Sequence, residues 1–288
     1  MATPDTKFAP GTFAVHRDYI DAAFKLAHRV HSRKYRADDD MDDEDDAPCG
    51  PGVEREEDIA DDVQQRLWEA GEASGSVAII KVCGILMRGC PGLRDWGLVD
   101  YDELLDEITE ADEDANVKRI VLIVDSPGGM VMGCPEAANA VAAISKPLMV
   151  FTSGMLCSAA YWLAASAEVI CATQSSDVGS IGVYRPFWDT SAMFGAAGVS
   201  VKVFASGEQK GAGYPGTSLS ESQAALIQAE VMKAAGWFQS HVATYRPSVD
   251  LTLFDGRSVS GEDGAEMGIV DAVVPDFNAA IEIFLSLT

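Results

Sequence analysis

Residues 119–144 have the sequence RIVLIVDSPGGMVMGCPEAANAVAAI, in which an apolar run is followed by a glycine-containing turn and then by small and apolar residues. The run Arg119–Val124 is almost entirely apolar, which is typical of a strand covered on both faces of a parallel sheet. The residues Cys134–Ile144 predict a helix. This succession of strand, turn and helix indicates an α/β fold.

The same unit recurs along the chain from residue 77 onward. Further strands are predicted at Val77–Val82, Leu148–Phe151, Val169–Ala172, Val199–Phe204 and Ile269–Val274. Further helices are predicted at Tyr101–Glu113, Ser158–Ala167 and Leu219–Tyr245, the last with Ser220 as its N-cap. The alternation predicts a parallel sheet with helices on both faces.

The composition is that of a globular chain and excludes several classes of protein. With 288 residues, 48% of them hydrophobic, the chain can bury a large core. Its net charge of −24 disfavours nucleic acid as a partner. No apolar stretch reaches the length of a membrane span and no signal peptide is evident, so we expect a cytoplasmic protein without a membrane anchor. The six cysteines form no CxxC pair and are expected to be buried reduced thiols.

The negative charge is concentrated near the N-terminus. Residues 38–62 hold 14 acidic residues and one base, Arg55. Like charges at this density repel one another and offer little to bury, so residues 37–72 are predicted to be an acidic disordered linker. Residues 1–36 are predicted to be a separate N-terminal amphipathic segment. The main domain is expected to cover residues 73–288.

Ser158 is a candidate nucleophile because it lies where a predicted strand gives way to a predicted helix. The start of a helix offers free N–H groups and the positive end of a dipole, which favour a developing negative charge. Small neighbours such as Ala159 and Ala160 allow a substrate backbone to approach closely. Two alternatives stay open: Ser158 as a simple N-cap, and Cys157 as the nucleophile.

A serine nucleophile needs a base, and the chain offers few candidates. Three of the four histidines lie in the N-terminal segment, and His241 lies within the long predicted helix. Few histidines are therefore available for a Ser-His-Asp triad. A neutral lysine can also take the proton. Lys210 follows a predicted strand in a glycine-rich turn, where the alternative is an ordinary exposed lysine.

The turn Ser126-Pro127-Gly128-Gly129 is a candidate for holding negative charge on a substrate oxygen. Paired glycines allow a tight turn and leave backbone N–H groups unobstructed, as an oxyanion requires. By itself, the motif is more typical of a turn that merely links a strand to a helix. A function can be assigned to this turn only when it is considered together with other motifs.

Five motifs in this order resemble the signal peptide peptidase A-like family of serine proteases, and the resemblance covers residues 77–275. The first four motifs are Ser126–Gly129, Cys157–Ala160, Val178–Val183 and Ser206–Lys210. The fifth consists of Asp255–Arg257 together with Ser260, Gly261, Ala265, Gly268, Val270 and Asp271. The resemblance implies a Clp protease/crotonase-like ββα superhelix, to which the partly disordered N-terminal appendage is attached. It also implies a peptide or protein substrate and assembly into a homo-oligomeric ring.

Matched position by position, the resemblance implies a Ser/Lys dyad with Ser158 as nucleophile and Lys210 as general base. The N–H groups of Gly129 and Ala159 match the oxyanion donors, and Gly128 shapes the turn. Neither a metal ion nor an organic cofactor is implied.

Within that family, the motifs Met155–Ser158 and Lys210–Pro215 are most similar to the head-maturation proteases of tailed phages. This similarity implies capsid or scaffold proteins as partners and an assembling procapsid as the setting. Alternatives are a bacterial cytoplasmic signal peptide peptidase-like protease, a non-catalytic assembly protein and a crotonase-type acyl-CoA enzyme. The last would need neither Ser158 nor Lys210, and the chain shows no basic cluster for the phosphates of CoA.

Overall fold

The computed structural model describes residues 13–15 and 76–287. The predicted acidic linker and most of the predicted N-terminal segment lie outside these residues. The strands are β1 (Phe13–Val15), β2 (Ser76–Cys83), β3 (Ile85–Met87), β4 (Leu98–Asp100), β5 (Val117–Asp125), β6 (Gly128–Met130), β7 (Leu148–Thr152), β8 (Met155–Cys157), β9 (Val169–Ala172), β10 (Asp177–Gly179), β11 (Ser258–Ser260) and β12 (Ala272–Val273). The helices are α1 (Tyr101–Glu113), α2 (Cys134–Ala142), α3 (Ala159–Ala164), α4 (Ser191–Ala196), α5 (Glu221–Tyr245), α6 (Gly261–Glu266) and α7 (Phe277–Ser286).

The long strands form a five-stranded sheet in the order β12-β9-β7-β5-β2, and every neighbouring pair is parallel. The apolar runs that predicted these strands are buried as expected; all five residues of β7, for example, are buried. Two-sided burial explains why these strands lack the alternation of a half-exposed sheet. The predicted parallel sheet is confirmed.

Short strands follow the long ones and build a second level of structure. Strand β5 is followed by β6 and α2, and β7 is followed by β8 and α3, so each unit has the order strand, short strand, helix. The short strands pair among themselves in the orders β1-β6-β3-β4 and β11-β10-β8. This repeat of two strands and a helix is the predicted ββα superhelix.

The five-stranded sheet separates two apolar clusters. On one face, α1, α2, α3 and the C-terminal half of α5 enclose the larger cluster, in which the rings of Trp162 and Phe238 stack with centroids 4.6 Å apart. On the other face, α7 places Ile281 and Phe284 against Met149 and Phe151. The position of α3, and with it Ser158, is therefore fixed by the larger cluster.

Three local predictions are wrong. Val199–Phe204 is not a strand: five of its six residues, all except Val201, are exposed and have no strand neighbour to bury them. The strand predicted at Ile269–Val274 is reduced to Ala272–Val273. Cys83 is disulfide-bonded, although Cys90, Cys134, Cys157 and Cys171 are buried free thiols as predicted.

Within residues 13–15 and 76–287, none of the helices combines the length and the apolar character that crossing a bilayer requires.

Candidate active site

Ser158 occupies a strained backbone conformation between β8 and α3. Its φ of 54° and ψ of −120° lie in a region that non-glycine residues rarely adopt. Two hydrogen bonds hold it there, because its N–H donates to Gly179 O (2.8 Å) and its carbonyl accepts from Trp162 N (2.9 Å). Strain of this kind costs about 1–3 kcal/mol and is characteristic of functional sites.

The hydroxyl of Ser158 is buried and unpaired. The residue is 1% exposed, and within the described part of the chain Oγ has no hydrogen-bond partner. Ser158 stands at the N-cap position of α3, but its side chain makes no capping hydrogen bond, so capping does not account for the serine. A buried hydroxyl without a partner destabilises a fold by about 1–3 kcal/mol. Neither local structure nor stability therefore accounts for a serine at this position.

Replacing Ser158 by glycine is expected to stabilise the fold. Glycine adopts positive φ without strain, and the change also removes the unpaired hydroxyl, whereas Ser158→Ala removes the hydroxyl and keeps the strained backbone. We expect the free energy of unfolding in urea titrations to rise by about 1 kcal/mol for Ser158→Gly and by less for Ser158→Ala. A Ser158→Gly protein less stable than Ser158→Ala would contradict the assignment of strain.

Ser126 brings the glycine turn beside Ser158. Its N–H donates to Met155 O (2.8 Å), and its carbonyl accepts from Cys157 N (3.1 Å), so β5 and β8 run side by side at this point. Its Oγ donates to Gly84 O (2.6 Å) and accepts from Gly128 N (3.2 Å). Ser126 belongs to a motif for which no individual role was predicted. Its Oγ bonds fix the turn that leads into β6.

Gly128 and Gly129 meet different requirements within β6. Gly128 has a φ of 98°, which favours glycine and agrees with its predicted role in shaping the turn. At Gly129, a Cβ atom would lie 1.7 Å from the carbonyl oxygen of Leu86, so no side chain fits. Helix α3 contacts β6, and its first residue, Ala159, has an N–H group without an intrahelical acceptor. The structure thus places helix α3, which begins directly after Ser158, against the strand that holds the two glycines.

Lys210 lies elsewhere in the single chain. It is exposed in a turn and lines an open cavity of about 430 Å³ together with Glu208, Thr217 and Gln223. The turn is attached to the start of α5, because Gln223 Nε2 donates to Glu208 O (2.6 Å) and the Ser222 hydroxyl bonds to the Glu208 carboxylate. Ser158 does not line this cavity and its Oγ is unpaired. Within one chain, the described residues do not pair the predicted nucleophile with the predicted base.

The turn of Lys210 belongs to residues 182–233, which we call the exposed segment. None of its residues is buried in the single chain, and only the second half of α5 enters the core. Large apolar side chains are exposed along it, with Phe204 at 95% and Trp188 at 62%. Apolar surface on this scale marks a surface for contact with another protein.

Of the two alternative catalytic residues, Cys157 is fully buried and His241 is half-buried. Burial raises the pKa of the Cys157 thiol well above its usual range, and Sγ contacts Asp177 O at 3.3 Å. Desolvation lowers the pKa of His241, whose ring contacts Tyr245 on the same helix. His241 does not bond to Ser158 Oγ. In the part of the chain that is described, no group of acidic, histidine or cysteine residues is arranged to hold a metal ion.

The sequence analysis did not identify Arg246, which anchors the end of α3. Its guanidinium donates to Ala165 O (2.9 Å) and Ala167 O, and it pairs with Asp271 (2.6 Å). Asp271 also accepts from Ile170 N (2.7 Å) and so ties the network to β9. A single arginine near the end of a helix gives no sequence signal for such a role.

Two family models match overlapping parts of the chain: Peptidase family S49 matches residues 140–282, and Clp protease matches residues 99–176. Together with the ββα units, these matches confirm the predicted fold class.

Curated relatives are similar to the same region. The chain is 28% identical to the capsid assembly protease C of Escherichia phage lambda over 245 residues, covering 81% of this chain and 56% of the relative. It is 29% identical to the head-tail preconnector protein GP5 of Enterobacteria phage P21 over 203 residues (69% and 40%), and 38% identical to Protease 4 of Salmonella typhi over 117 residues (39% and 18%). It spans about half the length or less of these three relatives. The predicted resemblance is confirmed: residues 140–282 match peptidase family S49.

Proposed function

We propose that this chain is a serine endopeptidase that uses Ser158 as nucleophile and Lys210 as general base. The observation that carries the proposal is Ser158 itself, which is strained, buried and unpaired beside the glycine turn. Strain and an unsatisfied hydroxyl reduce stability, so their presence at one residue supports selection for reactivity. The match of residues 140–282 to a peptidase family supports the reaction class.

The reaction is acyl transfer in two halves. Lys210 Nζ takes the hydroxyl proton while Ser158 Oγ bonds to the carbonyl carbon of the scissile peptide. The N–H groups of Gly129 and Ala159 hold the oxyanion, where loss of one such donor typically costs about 3–4 kcal/mol. Lys210 then gives its proton to the leaving amine, and the C–N bond breaks. Lys210 next takes a proton from a water molecule as the water oxygen attacks the acyl-enzyme ester. The ester C–O bond then breaks, and Lys210 returns the proton to Ser158 Oγ.

The dyad is completed between protomers in this proposal. Ser158 lacks a partner within one chain, and Lys210 lies on the exposed segment, whose apolar side chains suit contact with another copy. A head-to-tail contact that repeats around a closed ring would place Lys210 of one protomer beside Ser158 of the next. The isolated chain would then be inactive until it assembles into a homo-oligomeric ring.

Similarity to the lambda capsid assembly protease supports a role in phage head maturation, with capsid or scaffold proteins as substrates within a procapsid. Similarity to a putative signal peptide peptidase SppA of Enterococcus faecium, 28% identical over 222 residues (74% of this chain and 64% of the relative), supports a bacterial signal peptide peptidase-like role as the second candidate. Both candidates share the dyad and differ in substrate. A crotonase-type or non-catalytic role leaves the strained serine without an explanation.

Covalent labelling tests the proposal. A small fluorophosphonate should react with the assembled protein, and mass mapping should place the label on Ser158, because the activated hydroxyl is the group that attacks phosphorus. Ser158→Ala should remove the label, whereas Cys157→Ala should retain it and thereby exclude the neighbouring thiol. A folded, assembled protein that takes no label would refute the protease assignment.

A further inference from the structure

The chain's own N-terminal segment forms a strand beside the candidate active site. Strand β1 pairs antiparallel with β6, so that Phe13 lies opposite Met130, Ala14 opposite Gly129 and Val15 opposite Gly128. More than fifty residues separate β1 from β2 along the chain, so this is a long-range contact. The sequence analysis did not predict a strand at these residues.

Strand β6 presents one edge to the rest of its sheet and the other to β1. Its inner edge pairs with β3, where Gly129 lies opposite Leu86. The sheet order β1-β6-β3-β4 leaves β1 as the occupant of the outer edge. An uncovered strand edge exposes unpaired N–H and C=O groups and is a template for adding an extended peptide.

That edge lies next to Ser158. Ser126 pairs with Leu156 in a parallel bridge, which lies two residues before Gly128 in one segment and two residues before Ser158 in the other. Helix α3, which begins directly after Ser158, contacts β6. A peptide bound on the outer edge of β6 therefore runs past the two glycines and past the nucleophile. An endopeptidase substrate must present an extended backbone at this place.

We propose that Phe13–Val15 occupies the substrate strand position of the active site and competes in cis with protein substrates for the outer edge of β6. The inference rests on the proposed function and adds its regulation. The three residues are uncharged and include Phe and Val, which favour strands. Access to Ser158 then depends on whether this strand is seated or displaced.

Two probes separate this inference from the proposed function. A small fluorophosphonate reports whether Ser158 is reactive, whereas a tetrapeptide diphenyl phosphonate must also take the strand position to react. Ala14→Pro removes a backbone N–H and disfavours strand geometry, so it should release β1. Peptide labelling should then rise about tenfold, because the competent fraction rises, while labelling by the small probe stays within about twofold. Ala2→Pro, outside the paired strand, is the matched control and should leave both rates unchanged.

A reversible lock provides the opposite test. Opposed residues of an antiparallel pair have Cα atoms about 4.5–5.5 Å apart, which suits a disulfide, so Phe13→Cys with Met130→Cys should crosslink under mild oxidation. The crosslinked protein should react with the peptide probe at least about tenfold more slowly, and reduction should restore the rate. Phe13→Cys alone controls for the substitution.

The outcomes decide the two proposals independently. The inference would be overturned if the peptide probe labelled the wild type, the Ala14→Pro protein and the locked protein at equal rates. If Ser158 still reacted with the small probe, the protease assignment would stand. If the small probe labels none of these proteins, the protease assignment fails. Backbone hydrogen exchange then tests whether β1 is paired with β6. Protection at Gly128–Met130 that is lost in Ala14→Pro supports the seated strand, and unchanged exchange overturns it.

Discussion

Mixing Ser158→Ala protein with Lys210→Ala protein should restore the hydrolysis of a peptide that neither variant cleaves alone. Each variant by itself lacks one half of every dyad and should lose at least about 10³-fold in kcat/KM. In a ring with a head-to-tail interface, a randomly mixed assembly places an intact serine against an intact lysine at about one interface in four. The expected activity is therefore about a quarter of the wild-type value.

The expectation depends on the separation of Ser158 from the exposed turn of Lys210 within one chain. The assay is steady-state hydrolysis after co-refolding, with native mass spectrometry to verify mixed oligomers. Ser158→Ala mixed with the double variant Ser158→Ala/Lys210→Ala is the control, since no interface in it carries both groups. Verified mixed oligomers that remain as inactive as this control would place the dyad within a single chain.

Replacing Arg246 by methionine should lower the free energy of unfolding by about 1–3 kcal/mol, because the buried carbonyl groups of Ala165 and Ala167 lose their hydrogen-bond donor. The side chain is 7% exposed and serves two carbonyl groups, those of Ala165 and Ala167, besides Asp271. The carbonyls end the segment that begins with Ser158, so the loss should also loosen the nucleophile. Urea titration measures the stability, and the rate of fluorophosphonate labelling measures the effect on the site.

Arg257→Met is the matched control for that change. Arg257 pairs with Asp255 at 3.1 Å, but its side chain is 50% exposed. Exposed ion pairs contribute about 0–1 kcal/mol, so this substitution should cost little. Similar losses of stability for the two arginines would show that burial does not distinguish them and would remove Arg246 from the support of α3.

The fold was predictable where the sequence contains continuous apolar runs. The apolar runs of β5 and β7 predicted their strands because a parallel sheet covered on both faces needs such runs. Val199–Phe204 also contains Val and Phe but is not a strand. An apolar pattern does not tell whether a segment is buried by the sheet or by another molecule. The three-residue β1 gave no signal, because its pairing depends on the free edge of β6 more than on its own sequence.

The candidate site was predictable in its residues more than in its geometry. Ser158 was identified from its place between a strand and a helix, but its positive φ depends on how β8 and β10 meet, since its N–H bonds to Gly179. The fit of Gly129 against Leu86 O likewise depends on the pairing of β6 with β3. Whether Lys210 reaches Ser158 within one chain or from the next protomer depends on how the exposed segment packs, which the motifs themselves do not specify.

The position of α7 has a consequence for biosynthesis. The strands β5, β7 and β9 are complete once Ala172 has been translated, yet the face of the sheet that carries Met149 and Phe151 stays uncovered until α7 is made. About a hundred residues intervene, and at about 5–20 residues per second the ribosome needs between 5 and 20 seconds to supply them. Throughout that interval, the nascent chain presents an apolar sheet face, which makes it a natural client for ribosome-associated chaperones.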